Sequence, residues 1–120
     1  MESEVKAWLD QAEKDLELAK YDLKGEYYED ACFHSQQAAE KALKAVYIKK
    51  FKDLLKIHDV KLLAQKVSAP PEIIEIGDQL NPFYTITRYP DIEEPTVTEE
   101  DTKDAIKKAE RVLEWVKRII

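Results

Sequence analysis

A chain of 120 residues and 14.0 kDa, 44% hydrophobic and 37% charged, has room for one hydrophobic core and reads as a single domain over residues 1–120. Its net charge of −6 and pI near 5.0 exclude broad, sequence-independent DNA binding, which needs a surplus of cations to displace counterions. A lone Cys32 excludes an internal disulfide, one thiol with two histidines cannot complete a structural zinc site, and no apolar run approaches the ~20 residues of a membrane span. The expectation is a cytoplasmic protein with no membrane contact, no metal and no cofactor; the start, MESEVKAWLDQAEK, has no signal-peptide core.

Taken in order, the chain predicts about five helices. The first spans Ser3 to Leu23, with Ser3 as N-cap and Val5, Trp8, Leu9, Ala12, Leu16, Ala19 and Leu23 forming one apolar stripe. Gly25 is expected to end it by taking a positive φ. The second helix runs from Tyr28 to Lys50 and carries an unusual face of small residues: Ala31, Cys32, Ser35, Ala38, Ala39, Ala42 and Ala45. Small side chains let a neighbouring axis come close, so this helix belongs at the centre of a bundle. Gln36, Gln37, Glu40, Lys41 and Lys44 are assigned to its polar side.

Two shorter helices follow. One covers Val60–Val67 with Asp59 as N-cap, and the other covers Pro71–Leu80, whose proline suits the first helical position. Phe83 to Val97, interrupted by prolines, reads as an ordered loop. The last helix starts after Thr98, with Asp101 placed to close a capping box, and buries Ala105, Ile106, Ala109, Val112, Leu113, Val116 and Ile120. The fold class is therefore all-α, a helical bundle.

Charge is unevenly spread. Lys41 to Lys61 holds seven lysines against Asp53 and Asp59, a local balance of +5, while Glu72 to Asp104 holds ten acids against Arg88 and Lys103, a balance of −8. A basic face could attract phosphate even on an acidic molecule, although a solvated lysine surface gives the same count.

The residues able to carry chemistry are few. His34, Gln37 and Lys41 fall at i, i+3 and i+7, lining one edge of the second helix, where they could contact a phosphate or a base edge; His34 could equally border the core. His58 sits at the entrance of the third helix, where capping or packing is the alternative role. Arg88-Tyr89-Pro90-Asp91 places a lone arginine in an acidic loop, suited to bidentate contact with phosphate or carboxylate or to pairing with Asp91. Tyr84 precedes it. Glycine-rich phosphate loops, HExxH and paired histidines at zinc spacing are absent, and Cys32 among alanines reads as an inert buried thiol. Residue chemistry alone names no reaction.

The order of segments does resemble a known family. Trp8…Ala12…Asp15-Leu16…Ala19, then Tyr28 to Ala45 with its Gln36-Gln37-Ala38-Ala39-Glu40-Lys41-Ala42 core, then His58 with Leu62, and finally Arg88-Tyr89-Pro90-Asp91, resemble the HEPN domain (higher eukaryotes and prokaryotes nucleotide-binding) over nearly the whole chain. The resemblance implies an antiparallel up-and-down bundle, a homodimer, and a prokaryotic minimal nucleotidyltransferase as partner in a toxin–antitoxin-like pair. Many relatives are metal-independent ribonucleases whose signature is an Arg followed four to six residues later by a His. Here the arginines are Arg88, Arg111 and Arg118, and none precedes His34 or His58. The expected function is thus nucleotide or RNA binding through His34, Gln37, Lys41, His58, Arg88 and Tyr89. A metal-independent ribonuclease using His58 or His34 with Arg88, or a non-catalytic oligomerisation unit, are the alternatives.

Overall fold

The computed structural model describes residues 2–86 and 97–120, and their regular structure is helical throughout. The elements are α1 (Glu2–Lys24), α2 (Tyr28–Phe51), α3 (Val60–Lys66), α4 (Pro71–Leu80), α5 (Pro82–Ile86) and α6 (Glu99–Ile119). Helix α1 already contains Glu2 and Ser3, so Ser3 is not its N-cap.

The turn from α1 to α2 corrects the role expected of Gly25. The positive φ, 64°, belongs to Glu26. The Glu26 amide donates to the Leu23 carbonyl and the Tyr27 amide to the Asp22 carbonyl, the bond pair of a Schellman ending with Glu26 in the left-handed position. Lys52 and Ser68 take the same conformation after α2 and α3. With only two glycines in the chain, these helix ends put ordinary residues where glycine is favoured.

Helix α2 is the hub and packs against all five other helices. Its small face is buried as expected, with Ala31, Cys32, Ser35, Ala38, Ala39, Ala42 and Ala45 all fully inaccessible. Missing side-chain volume there is what lets α1 and α6 approach together. Helix α6 runs in the same direction as α2. Cys32 Sγ contacts Thr102 Oγ1 at one end, and Lys49 Nζ donates to the Ile120 carbonyl at the other. Helix α1 runs antiparallel to both, tied to α6 by Lys20–Glu110 and Lys117–Glu13 ion pairs.

The short helices carry the chain back from the end of α2 towards the start of α6. Asp59 caps α3 by accepting from the Leu62 amide, and Asn81 bridges the corner: its Oδ1 accepts from the Val60 amide and its Nδ2 donates to Asp59. Gly77 lets α4 touch α3, since a Cβ there would lie 2.8 Å from the Lys61 amide nitrogen. Pro82–Ile86 is helical where a loop was expected; proline is tolerated in a first turn, and the Tyr84 amide closes on the Asn81 carbonyl. The remainder of that expected loop, 87–96, lies outside the described residues. The Thr98–Asp101 capping box forms with both bonds at 3.1 Å.

Candidate functional site

The candidate site is built on a stripe of α2 that the sequence assigned to solvent. Gln36, Glu40 and Lys44 recur every four residues, and all three are buried rather than on a polar side. The reason is the central place of α2: a helix covered by five neighbours has little solvent face, so polarity does not indicate exposure there. Glu40, 2% exposed, gathers donors on both oxygens. Lys44 Nζ donates to its Oε2 at 2.9 Å, while Gln36 and Gln37 donate to its Oε1 at 3.1 and 3.4 Å.

The segment before α3 delivers His58 to that carboxylate. Gln36 Nε2 donates to the His58 carbonyl at 3.2 Å, fixing the backbone from inside, and the Asp59–Asn81 corner fixes it from the other side. His58 Nδ1 then lies 3.1 Å from Glu40 Oε2, with the imidazole side chain 54% exposed. Helix α5 supplies a wall: the Tyr84 ring stacks on His58 with centroids 4.4 Å apart and planes 15° apart. Tyr84 also meets Phe33 at 6.2 Å, and Phe33 meets His34 edge-on at 5.8 Å. An aromatic row thus connects the two histidines along one side of α2.

His34 is tethered like His58, its Nδ1 2.7 Å from Asp22 Oδ2 on α1. Gln37 turns inward, donating to Gln36 Oε1 at 2.8 Å and towards Glu40, so it joins His58 at the same carboxylate. Lys41 turns away from both, pairing with the buried Asp15 at 2.8 Å and reaching Gln11 at 3.5 Å. Arg88, Tyr89 and Asp91 lie outside the described residues.

The lysine run is largely engaged within the molecule. Lys41, Lys44 and Lys61 pair with Asp15, Glu40 and Asp78, while Lys49, Lys50 and Lys52 donate to the carbonyls of Ile120, Val67 and Lys49. The three carboxylate partners offset part of the positive charge that the sequence count places on this segment, while the three carbonyl-bonded lysines keep theirs. Cys32 is fully buried, and burial pushes its thiol up to about 11, which keeps it protonated and unreactive near neutral pH. Among the described residues, no group of three or more His, Cys, Asp or Glu is placed to hold a metal, and no helix is long and apolar enough to cross a membrane.

Sequence reasoning missed Gln36, Glu40 and Lys44 as site residues. The available signal was their shared i, i+4, i+8 stripe along the second helix.

Comparisons with known proteins agree with this architecture. The HEPN domain model matches residues 5–119. A Methanocaldococcus jannaschii protein bearing the name "Putative toxin MJ1304" is 32% identical over 134 residues, covering 94% of this chain and 86% of that protein. The crystal structure of TT1696 from Thermus thermophilus superposes with a TM-score of 0.89 at 29% identity, covering 97% of this chain and 98% of its own. ST0689, described as an archaeal HEPN homologue, gives 0.79 at 39% identity with 94% of each chain covered. An HEPN domain protein of Thermotoga maritima gives 0.59 at 30%, covering 95% and 91%. A family match over almost the full length and a helical architecture shared with solved relatives lead to one conclusion: the chain belongs to the HEPN domain family.

Proposed function

We propose that this HEPN-domain protein is a nucleotide- or RNA-binding module, acting as a homodimer beside a minimal nucleotidyltransferase in a toxin–antitoxin-like pair. The observation that carries the ligand half is His58, half-exposed, held by buried Glu40 and stacked on Tyr84. Aromatic faces with an adjacent hydrogen-bonding edge are what stacked bases use. Arg88, four residues beyond Tyr84 in the chain, is the cation nearest in sequence for a phosphate. The toxin-like pairing is supported by the name of the Methanocaldococcus relative. Calorimetry with ATP, GTP and short RNA tests the ligand half. Saturable heat that Tyr84→Ala and Arg88→Ala both weaken is expected, and no heat with any of the three ligands removes it. Sedimentation, with co-purification of a neighbouring nucleotidyltransferase, tests the assembly half; a monomer that retains no such protein removes that half.

A second reading, a metal-independent ribonuclease, is favoured by one observation: both histidines are tethered through Nδ1 to a carboxylate, leaving each Nε2 for proton transfer. Incubation with RNA in EDTA decides it. Cleavage that survives a His34→Ala/His58→Ala double variant belongs to a contaminant.

A further inference from the structure

The hydrogen bonds around Glu40 can be assigned one by one, and they leave His58 a single role. Gln36 Nε2 faces two oxygens, the His58 carbonyl and Glu40 Oε1, so the amide nitrogen must be the atom placed there. Its Oε1 then accepts from Gln37 Nε2, which orients Gln37 as a donor to Glu40 as well. Lys44 has only donors to offer. The carboxylate therefore sits in a ring of donors beside a buried ammonium and serves as the acceptor of each of these bonds. His58 Nδ1, 3.1 Å from Oε2, makes a hydrogen bond only if Nδ1 carries the proton.

Charge balance points the same way. Glu40 and Lys44 cancel within the core, so His58 need not be cationic to compensate the carboxylate. A neutral ring with its proton on Nδ1 has an unshared pair on Nε2, at the edge away from the buried carboxylate. Burying an ion pair costs more than an apolar pair of similar size, so the fold carries this network at a thermodynamic disadvantage.

We infer that Glu40 is a positioning residue that locks His58 in the Nδ1–H tautomer, so that His58 Nε2 accepts a hydrogen bond from a ligand's hydroxyl or amine. The inference rests on the ligand reading above and narrows it. A nucleoside meets both features of the site, offering a planar base to the Tyr84–His58 wall and a ribose hydroxyl or exocyclic amine to Nε2. A phosphate monoester, doubly ionised above its second pKa of about 6, offers only lone pairs to that lone pair and is not selected at this position.

The test uses the full chain labelled with nitrogen-15 in histidine. Long-range proton–nitrogen correlation at about pH 8, above the ordinary imidazole range, reads the tautomer directly. For wild-type His58 the expected pattern is a protonated Nδ1 and an unprotonated Nε2; a protonated Nε2 overturns the inference without any variant being needed. In Glu40→Met/Lys44→Met, which removes the acceptor without stranding the ammonium, the expected change is redistribution between the two forms, and an unchanged Nδ1–H population overturns the assignment to Glu40. Titration then separates the ligand classes. Adenosine is expected to move the His58 Nε2 signal and methyl phosphate, a dianion with no donor at this pH, to leave it in place; the reverse overturns the donor selectivity. Adenosine affinity should fall about tenfold in Glu40→Met/Lys44→Met, the loss of one well-placed hydrogen bond. If neither ligand moves any signal, the binding role proposed above fails together with the selectivity, while the tautomer result still decides the role of Glu40.

Discussion

Glu40 Oε2 and His58 Nδ1 lie 3.1 Å apart, joining a carboxylate that is 2% exposed to an imidazole that is 54% exposed. The pair bridges core and surface because α2 buries Glu40 while the entrance of α3 stops His58 at the rim. Lys44 completes the arrangement from within α2, one helical turn along. Removing Glu40 alone therefore strands a buried ammonium. Glu40→Ala is expected to destabilise the fold by about 3–5 kcal/mol, whereas a Glu40→Met/Lys44→Met double variant loses much less. Urea unfolding of Glu40→Ala, of Glu40→Met and Lys44→Met singly and of the double variant checks this, and methionine losses that simply add would show that the two charges do not depend on each other.

Glu26→Gly should raise stability. Glu26 holds a φ of 64°, where a Cβ is unfavourable and glycine is free. A gain of about 0.5–1 kcal/mol is expected, net of the extra unfolded-state entropy of glycine. Thermal unfolding provides the measurement, and a Glu26→Gly variant melting below the parent would mean that the Glu26 side chain makes a larger contribution than its strain costs.

Gly77→Ala should do the opposite despite the better helix propensity of alanine. The added Cβ would meet Lys61 N at 2.8 Å and both Lys61 Cα and Val60 C at 2.9 Å, all backbone atoms. Separating α3 from α4 costs about 1–3 kcal/mol, which exceeds the ~1 kcal/mol propensity gain at the upper end of that range. Because the Asp59–Asn81 corner that fixes His58 joins the start of α3 to the end of α4, the variant should also weaken any ligand that uses His58. Chemical denaturation together with ligand calorimetry reads both effects, and an unchanged midpoint would refute the close approach.

Cys32 should resist thiol reagents until the chain unfolds. Burial raises the thiol from 9.0 to about 11, so the folded state holds its proton where the unfolded state releases it. The sign follows: between pH 9 and about 11 the folded state binds more protons, so this group's contribution to stability is full below pH 9 and is lost as pH rises. Labelling with a maleimide across this range, with and without denaturant, should show slow modification of the native protein and fast modification of the unfolded one. Comparing the alkaline stability of Cys32→Ala isolates the contribution, and identical pH profiles would deny it.

The helices and their order were legible because each rests on local chemistry. Asp59 and Thr98 cap through their own side chains, Pro71 suits a first turn, and the alanine face of α2 announces close packing wherever that helix is placed. Position along the chain could not say which polar residues of α2 face water. Gln36, Glu40 and Lys44 look like an exposed stripe until His58 closes over the first two and Trp8 of α1 over the third. Likewise His34, Gln37 and Lys41 share an edge in sequence, yet their partners, Asp22, Glu40 and Asp15, draw them apart.

The amino-acid sequence by itself determined the helical bundle, its central helix and the family resemblance, since periodicity, caps and motif order are properties of neighbours along the chain. Only the tertiary structure decided that a buried carboxylate orients His58 against Tyr84. That decision depends on side chains 18 and 26 positions apart along the chain meeting in space. Such meetings are set by how whole helices pack, a quantity that no local window contains.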